Sequence, residues 1–434
     1  MVKTSSIMER WGVTRLHLVE SETLDFQFMR ALCYQAYGGA STGEVLRVAS
    51  ELNKRGNTRE NWIKLWTEQG EHCEKLADEA MRKGQTITAR SAYLRAYNYL
   101  RAAEFYYESA EENVKEHYES ADLKEHLDFY LWGVTCFDNA ASLFDFPVDK
   151  IEIPYKNGVT LPGYFVSPAD DGIKRPTVII CGGADGYGEE SYFWGVPEAL
   201  ARGFNVVMFH GPGQRGVWLR HPDQVFQPDY EKPITAVVDY TVKRKEVDAE
   251  LLALCGYSLG GYLAPRAAAF EPRIRALVAN APIYDFHNFM LSGVFGSLPG
   301  YAKKIAQRAI EGMPEAMWAE QEKHLAKKNW ELEAAMKGYM PRFGIRNLYE
   351  EMQHLKDYTL HGLEHRITCP TLCVSAVGEG EEAVAQAHAF YNALTCPKEF
   401  YSLTVEDGAD NHCGLNNIVH ASSVICDWLK HVLG

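Results

Sequence analysis

The chain has 434 residues, of which 46% are hydrophobic and 24% are charged, a composition typical of a globular enzyme. Aspartates and glutamates outnumber lysines and arginines by 58 to 44, and the net charge of −14 disfavours binding to nucleic acid or anionic membranes. No segment reaches the roughly 18 uninterrupted apolar residues of a membrane span, and the first residues lack the apolar core of a secretory signal. We therefore expect a cytoplasmic protein whose partner is a small molecule.

The ten cysteines form neither a C-x-x-C pair nor a cluster with histidines. This scatter is typical of reduced thiols in the core, rather than of disulfides or of a zinc site. The sequence thus predicts no metal site.

Residues 1–145 contain no proline and are rich in helix formers, which predicts an all-helical N-terminal domain. Segments 61–83 and 87–110 predict a helical hairpin with Gly84 and Gln85 in the turn and Thr86 as the N-cap. Aromatic and apolar side chains at helical spacing are interpreted as a helix–helix core, with the roof of a pocket as the alternative. These side chains are Trp62, Trp66, Tyr93, Tyr97, Leu100 and Phe105.

After Pro147 the pattern changes to short β-branched runs, and Asn157 with Gly158 indicates a hairpin turn. Six apolar runs then alternate with helical stretches: PTVIICGG, FNVVMFHGPG, LLALCGYS, IRALVANAP, PTLCVSA and KEFYSLTV. This alternation predicts an α/β domain over residues 146–434, with a mostly parallel sheet covered by helices on both faces. Residues 284–365 are amphipathic and interrupt the alternation, which predicts a helical cap insertion.

The pentapeptide GYSLG, residues 256–260, lies between the apolar run LLALC and a helical run. Strand, sharp turn and helix form the setting of a nucleophile elbow, in which a strained serine projects above the edge of the sheet. Gly256 and Gly260 would let neighbouring backbone approach closely. The pattern predicts Ser258 as a nucleophile.

A serine hydroxyl needs a base to take its proton, and a carboxylate to orient that base. His412 follows the last predicted strand in a loop, whereas His388, His420 and His431 fall in helical stretches, so His412 is the predicted base. The acid stays open. Glu379 occupies the expected loop position, and the alternatives are Glu381, Asp285, Asp407 and Asp410, each of which could instead be a solvated loop charge.

An oxyanion requires two oriented amide donors, one from the residue after the nucleophile, here Leu259. The second donor is expected in the loop CGGADGYGEE, from Ala184 or Gly183. A tight turn is the alternative role of this glycine pair. Arg215, in FHGPGQRG, is a candidate substrate contact or else a surface arginine. Further substrate-binding candidates are Asp185, Tyr187, Tyr257, Asp285 and His287.

Together these motifs resemble the α/β-hydrolase group that contains 2,6-dihydroxypseudooxynicotine hydrolase and the fungal yellowish-green polyketide-shortening hydrolases. The resemblance covers nearly the whole chain and rests on RSAYLRAYNYLRAAEFYY, IICGGADGYGEE, FHGPGQRG, GYSLGGYLAPRAAAFEPRIRA and the closing NHC. It implies the α/β-hydrolase fold, Ser258 as nucleophile, His412 as base and no metal or organic cofactor. It also implies hydrolysis of a carbon–carbon bond flanked by carbonyls, and a homodimer.

Two positions depart from the group's pattern. The group usually has an aspartate after the penultimate strand, where this chain has Gly378-Glu379-Gly380-Glu381. The nicotine-pathway member has a glutamate about thirty residues past the nucleophile, where this chain has Asp285 and His287. The second departure implies a different substrate.

The activity expected from these features is cleavage of a carbon–carbon or acyl bond through an acyl-serine. An acyl transferase or cyclase with the same triad, a simple carboxylesterase and a non-catalytic binding module are the alternatives. Aromatic residues of the insertion suggest a large, flat or apolar ligand, although such clusters are also typical of core. They are Phe286, Phe289, Phe295, Trp318 and Trp330.

Overall fold

The computed structural model describes residues 12–107, 121–295, 312–326 and 330–434. The described residues before 145 are largely helical, as predicted. Side-chain caps start two of these helices: Ser21 accepts a hydrogen bond from Leu24 N, and Thr58 accepts one from Asn61 N. These helices are α1 (Glu22–Cys33), α2 (Thr42–Arg55), α3 (Arg59–Arg82), α4 (Thr86–Glu104) and α5 (Ala121–Ala141).

Helices α3 and α4 form the predicted hairpin, but two details of the prediction were wrong. The N-cap of α4 is Gln85, and Thr86 is the first residue of the helix. The helix ends at Glu104 instead of continuing to residue 110, because the chain turns there and Tyr107 N donates to Glu104 O at 2.9 Å. Residues 108–110 lie outside the described part of the chain.

The aromatic stripe of this hairpin is core, as the sequence indicated. Trp62 and Trp66 are buried and lie 5.1 and 5.4 Å, centroid to centroid, from the ring of Phe28 on α1. Offset and edge-on contacts of this kind stabilise packing beyond the area they bury. Phe105 differs, because it is half-buried and lies 5.5 Å from the guanidinium groups of both Arg30 and Arg215.

The sheet has the order β1-β2-β4-β3-β5-β6-β7-β8. The first two strands form an antiparallel hairpin whose turn holds Asn157 at a φ of 55°, and strands β3 to β8 pair in parallel. All six predicted runs are strands. The strands are β1 (Val148–Pro154), β2 (Thr160–Val166), β3 (Arg175–Cys181), β4 (Asn205–Phe209), β5 (Val247–Tyr257), β6 (Ile274–Asn280), β7 (Thr371–Ala376) and β8 (Lys398–Leu403).

Helices alternate with the parallel strands and cover the sheet, and a largely helical segment separates β6 from β7. The covering helices are α6 (Val196–Ala201), α7 (Arg215–Trp218), α8 (Glu231–Thr241), α9 (Gly260–Ala268), α14 (Glu381–Ala393) and α15 (Ile418–Leu433). We call the residues between β6 and β7 the insertion. It contains α10 (Phe286–Phe295), α11 (Glu315–Ala326), α12 (Trp330–Tyr339) and α13 (Leu348–His354).

Aromatic residues of the insertion contact other residues of the chain, as core residues do. Phe286 lies 6.2 Å from the ring of Phe343, and Trp330 donates its indole N–H to Asn57 O in the N-terminal helices. The side chain of Phe295 is outside the described part.

All ten cysteines are free thiols in this structure, and none of the described helices is both long and apolar enough to cross a membrane.

The parallel strands determine where the candidate residues lie. The carboxyl ends of β3, β5, β6, β7 and β8 meet at one edge of the sheet, which is where α/β proteins place their ligand sites. The loops that follow these strands carry the predicted nucleophile, base, acid and oxyanion donors.

Candidate active site

Ser258 lies on a sharp turn between β5 and α9, with a φ of 60°. A left-handed backbone is uncommon for a residue with a side chain and marks stored strain. Side chains at the flanking glycines would clash: a Cβ at Gly256 would lie 2.0 Å from Gly260 O, and one at Gly260 would lie 2.3 Å from Cys181 O. The turn therefore has the geometry of a nucleophile elbow, and Ser258 is partly exposed at its tip.

The imidazole of His412 pairs with the carboxylate of Glu379. Its Nδ1 lies 2.6 Å from Oε1, and because an ionised carboxylate can only accept, Nδ1 carries the hydrogen. The Glu379 side chain is 2% exposed and that of His412 is 17% exposed. Cys413 N also donates to Oε1 at 3.0 Å, which fixes the carboxylate further. The orientation of His412 is thereby set, and its Nε2 lies 3.7 Å from Cys413 Sγ.

The other carboxylates that the sequence left open do not contact His412. Glu381 is exposed in the first turn of α14. The remaining three have other hydrogen-bond partners, namely Asn288 for Asp285, Thr404 for Asp407 and Thr14 for Asp410. The structure thus brings Glu379, and not its alternatives, to the predicted base.

Asn280, at the end of β6, connects the serine turn to the histidine loop. Its main-chain oxygen accepts from Ser258 N at 2.8 Å and from Cys413 Sγ at 3.5 Å, and its side-chain nitrogen donates to Cys413 O at 3.0 Å. Sequence reasoning missed this residue. The available signal was a polar side chain closing the otherwise apolar run IRALVAN.

The protonation of His412 depends on its neighbours. Burial disfavours the imidazolium, but Cys413 and Glu379 favour it, and the pKa of His412 is raised from 6.5 to about 10. Cys413 Sγ lies 3.7 Å from Nε2. A base with this pKa is mostly protonated at neutral pH and becomes available as the pH rises.

These three side chains also have the spacing of a small metal site. The ligand atoms of Glu379, His412 and Cys413 lie within 4.8 Å of one another. The carboxylate is already engaged by two hydrogen bonds within the group. The absence of a metal requirement stays a prediction.

The loop after β3 contacts the serine directly. A Cβ at Gly183 would lie 2.6 Å from Ser258 Cβ and 2.9 Å from its Oγ, so only glycine allows this approach. Within the described part of the chain, neither Ala184 N nor Leu259 N donates to a protein acceptor. Both amides are therefore available to a ligand beside Ser258.

Side chains from the loop after β4, from the insertion and from α1 hold the carbonyls of this loop. Gln214, after β4, donates to Gly182 O at 3.0 Å and to Gly183 O at 3.2 Å. Arg342 of the insertion donates to Ala184 O, and Arg30 of α1 donates to Asp185 O at 2.9 Å. The carbonyls of residues 182–185 are thus directed toward these donors, which constrains the orientation of the amides between them.

Two of the predicted substrate contacts lie in a buried ionic cluster. Arg215 pairs with Glu104 at 3.0 Å, and both side chains are 2% exposed. His126 lies 2.5 Å from the same carboxylate, and the Tyr187 hydroxyl donates to it. Burial opposes ionisation of Glu104, but Arg215 and His126 outweigh it and lower its pKa to about 2. Arg215 and Tyr187 thus join the hydrolase sheet to α4 and α5.

The remaining substrate candidates are arranged around the site as follows. Tyr257 is buried, and its hydroxyl donates to Trp194 O at 3.1 Å. His287 is buried at the start of α10. Asp185 is half-exposed, with Arg342 Nη2 at 3.0 Å from its Oδ1.

Comparison with known proteins agrees with this architecture. The sequence model of the prolyl oligopeptidase family matches residues 191–322, and that of the FrsA-like esterases matches residues 52–210. Hydrolase acrC of Aspergillus aculeatus is 32% identical over 375 residues, which cover 82% of each chain. Hydrolase ORFZ of Pyricularia oryzae is 33% identical over 375 residues, which cover 83% of each chain.

Among solved structures, 2,6-dihydroxy-pseudo-oxynicotine hydrolase superposes with a TM-score of 0.67 at 21% identity. The match covers 94% of this chain and 95% of that one. It supports the predicted fold over almost the full length, including the N-terminal helices. With its sheet topology and its fungal relatives, the chain belongs to the α/β-hydrolases, in the group that contains these hydrolases.

Proposed function

We propose that this α/β-hydrolase is a serine hydrolase that cleaves a carbon–carbon bond between carbonyl groups, or an acyl bond, in a small aromatic or polyketide-like metabolite. One observation carries the proposal. The strained Ser258 and the loop that holds the His412–Glu379 pair are hydrogen-bonded to the same residue, Asn280. A strained serine and an imidazole oriented by a carboxylate are two of the elements that nucleophilic catalysis requires.

In the proposed mechanism, His412 Nε2 takes the proton of Ser258 Oγ as the oxygen attacks a ketone or acyl carbonyl. The Glu379 carboxylate holds the tautomer and stabilises the imidazolium. The amides of Leu259 and of Ala184 or Gly183 stabilise the tetrahedral oxyanion.

Collapse of the intermediate breaks the bond to the leaving group, which takes a proton from His412. For a diketone the leaving group is the enolate of the second carbonyl. Water then attacks the acyl-serine, with His412 again as the base, and releases a carboxylic acid.

The choice of carbon–carbon bond hydrolysis rests on the motif resemblance, and the curated relatives named as fungal hydrolases are consistent with it. A small molecule is the expected substrate because Ser258 is only partly exposed.

The test is product analysis by mass spectrometry with short p-nitrophenyl esters and aromatic 1,3-diketones. We expect two cleavage products whose summed mass exceeds that of the substrate by one water, formed by wild type and by Ser423→Ala, a matched serine on α15, but not by Ser258→Ala. A rearranged or coupled product without added water would assign acyl transfer instead. Equal turnover by Ser258→Ala would refute the nucleophile.

A further inference from the structure

Asp185 is the accessible carboxylate of the loop that contacts the nucleophile. Its side chain is 44% exposed, whereas its neighbours Ala184 and Tyr187 are 7% and 2% exposed. Gly183 touches Ser258, and two residues of chain span at most about 7 Å. The carboxylate therefore lies within reach of a small substrate whose carbonyl is at Ser258.

One carboxylate oxygen is held and the other is open. Arg342 Nη2 donates to Oδ1 at 3.0 Å, while Arg30 holds the main-chain oxygen of the same residue at 2.9 Å. No residue in the described part of the chain donates to Oδ2. Arg342 thus fixes the side chain through Oδ1, and Oδ2 is an acceptor without a donor among the described residues.

The charges around Asp185 keep it ionised. Burial opposes this, but Arg342, Arg215 and Arg30 together lower the pKa of Asp185 below its ordinary value. An ionised carboxylate accepts hydrogen bonds and does not donate them. Each of the three guanidinium groups also has a carboxylate partner: Asp185 for Arg342, Glu104 for Arg215 and Glu190 for Arg30.

Aromatic side chains share this environment. Tyr106 is 1% exposed, and no described residue bonds its hydroxyl. Burial raises the pKa of Tyr106, and the charges of Glu331 and Asp185 raise it further, so its ring lies in the field of this carboxylate. Tyr339 is subject to the same charge from Asp185. The ring of Tyr339 lies 5.9 Å from the guanidinium of Arg342, the group that holds Asp185.

From these contacts we propose that Asp185, positioned by Arg342, is the specificity-determining residue that accepts a hydrogen bond from a neutral hydroxyl group of the substrate, a phenol or an enol. The inference rests on the proposed function and narrows its substrate class. The ionised carboxylate repels an anion, whereas a neutral hydroxyl group can donate to Oδ2, to which no described residue donates.

The experiment compares p-nitrophenyl phenylacetate with the esters of 2-, 3- and 4-hydroxyphenylacetic acid. A hydrogen bond to a charged group corresponds to about tenfold or more in kcat/KM, so we expect wild type to prefer one hydroxylated isomer over the parent ester by that factor. In Asp185→Asn we expect this preference to fall to about threefold or less. Asp171→Asn, which changes a carboxylate paired with Arg175 on an exposed loop, should keep the preference.

Equal kcat/KM for all four esters in wild type would overturn the inference, and this result does not depend on the folding of any variant. A preference that persists in Asp185→Asn would also overturn it. If no ester is turned over and a fluorophosphonate does not label Ser258, the proposed function fails and the inference fails with it. Labelling of Ser258 with equal ester rates refutes only the role of Asp185.

Discussion

The two sides of the candidate site are built differently. On the side of the base, the contacts come from the ends of sheet strands: Glu379 after β7, His412 after β8 and Asn280 at the end of β6. On the side of the oxyanion, the loop after β3 is held by Gln214 after β4 and also, from outside the sheet, by Arg30 of α1 and Arg342 of the insertion.

This difference indicates that the two helical additions, the N-terminal helices and the insertion, do more than cover the site. The proposed reacting groups follow strands of the sheet, whereas the loop that touches Ser258 is also held by residues of the N-terminal helices and of the insertion. The cluster around Glu104 extends the same dependence, because it joins α4 and α5 to Arg215 and Tyr187. Substitutions on the base side should therefore abolish turnover. Substitutions on the oxyanion side should displace the loop after β3 and slow turnover.

The largest expected effect is on the base side. Glu379→Gln should lower kcat by about 10⁴-fold, because an amide N–H facing Nδ1 favours the wrong tautomer of His412. The measurement is steady-state hydrolysis of a p-nitrophenyl ester at fixed pH. Glu381→Gln is the matched control on the exposed first turn of α14, and it should stay close to wild type. A similar loss in both variants would contradict the assignment of Glu379.

The ionic cluster should matter most for stability. Glu104→Gln leaves Arg215 buried without its carboxylate, and breaking a buried pair in this way costs about 3–5 kcal/mol in the free energy of unfolding. Urea denaturation measures it, with Glu51→Gln, an exposed pair with Lys54, as the control that should leave the midpoint unchanged. An unchanged midpoint for Glu104→Gln would show that the helices do not depend on this contact.

The pH dependence of the free energy of unfolding tests the same carboxylate, Glu104. The pKa of Glu104 is lowered to about 2 in the folded protein, below its unfolded value of about 4.3. Its contribution is therefore complete above the unfolded pKa and is lost as the pH falls toward 2. Between these values, the stability of wild type should fall more steeply with decreasing pH than that of Glu104→Gln.

A smaller effect is expected on the oxyanion side. Arg342→Met removes the donor to Ala184 O, and a displacement of about 1 Å in a catalytic group can cost about 10²-fold in rate. We expect kcat for the parent phenylacetate ester to fall by that order with little change in KM, and Arg342→Lys to restore part of it. Arg346→Met, an exposed arginine paired with Glu350, is the control. A change confined to KM would mean that Arg342 binds substrate and does not position the loop.

The smallest effect is a shift of the pH profile. Cys413 and Glu379 raise the pKa of His412 to about 10, so kcat/KM of wild type should rise with pH through the neutral range. Removing the sulfur in Cys413→Ala should lower that pKa, which moves the rising limb to lower pH and increases the relative activity at neutral pH. Superimposable profiles would rule out the influence of Cys413 on the base.

The sequence predicted those parts of the molecule that depend on local patterns. Strand runs, the turn at Asn157 and the tight turn around Ser258 follow from neighbouring residues, and the structure contains all of them. Glu379 was favoured by its position after β7, but its pairing with His412 needed the structure. The end of α4 was misplaced because helix propensity continues beyond Glu104, where the chain turns.

The long-range contacts could not be predicted from local patterns. Arg30 is separated from Asp185 by 155 residues and Arg342 from Ala184 by 158, and an isolated arginine in a helical stretch gives no sign of its partner. Arg215 was open between substrate contact and surface exposure, and it is instead buried against Glu104. Pairings of this kind depend on how the two additions dock on the sheet.

The most direct test of the central claim is intact-protein mass spectrometry after reaction with a fluorophosphonate. The account predicts one adduct on wild type at Ser258, no adduct on Ser258→Ala, and much slower labelling of Glu379→Gln than of Glu381→Gln. An adduct of equal yield on Ser258→Ala, or no adduct on folded wild type, would contradict it.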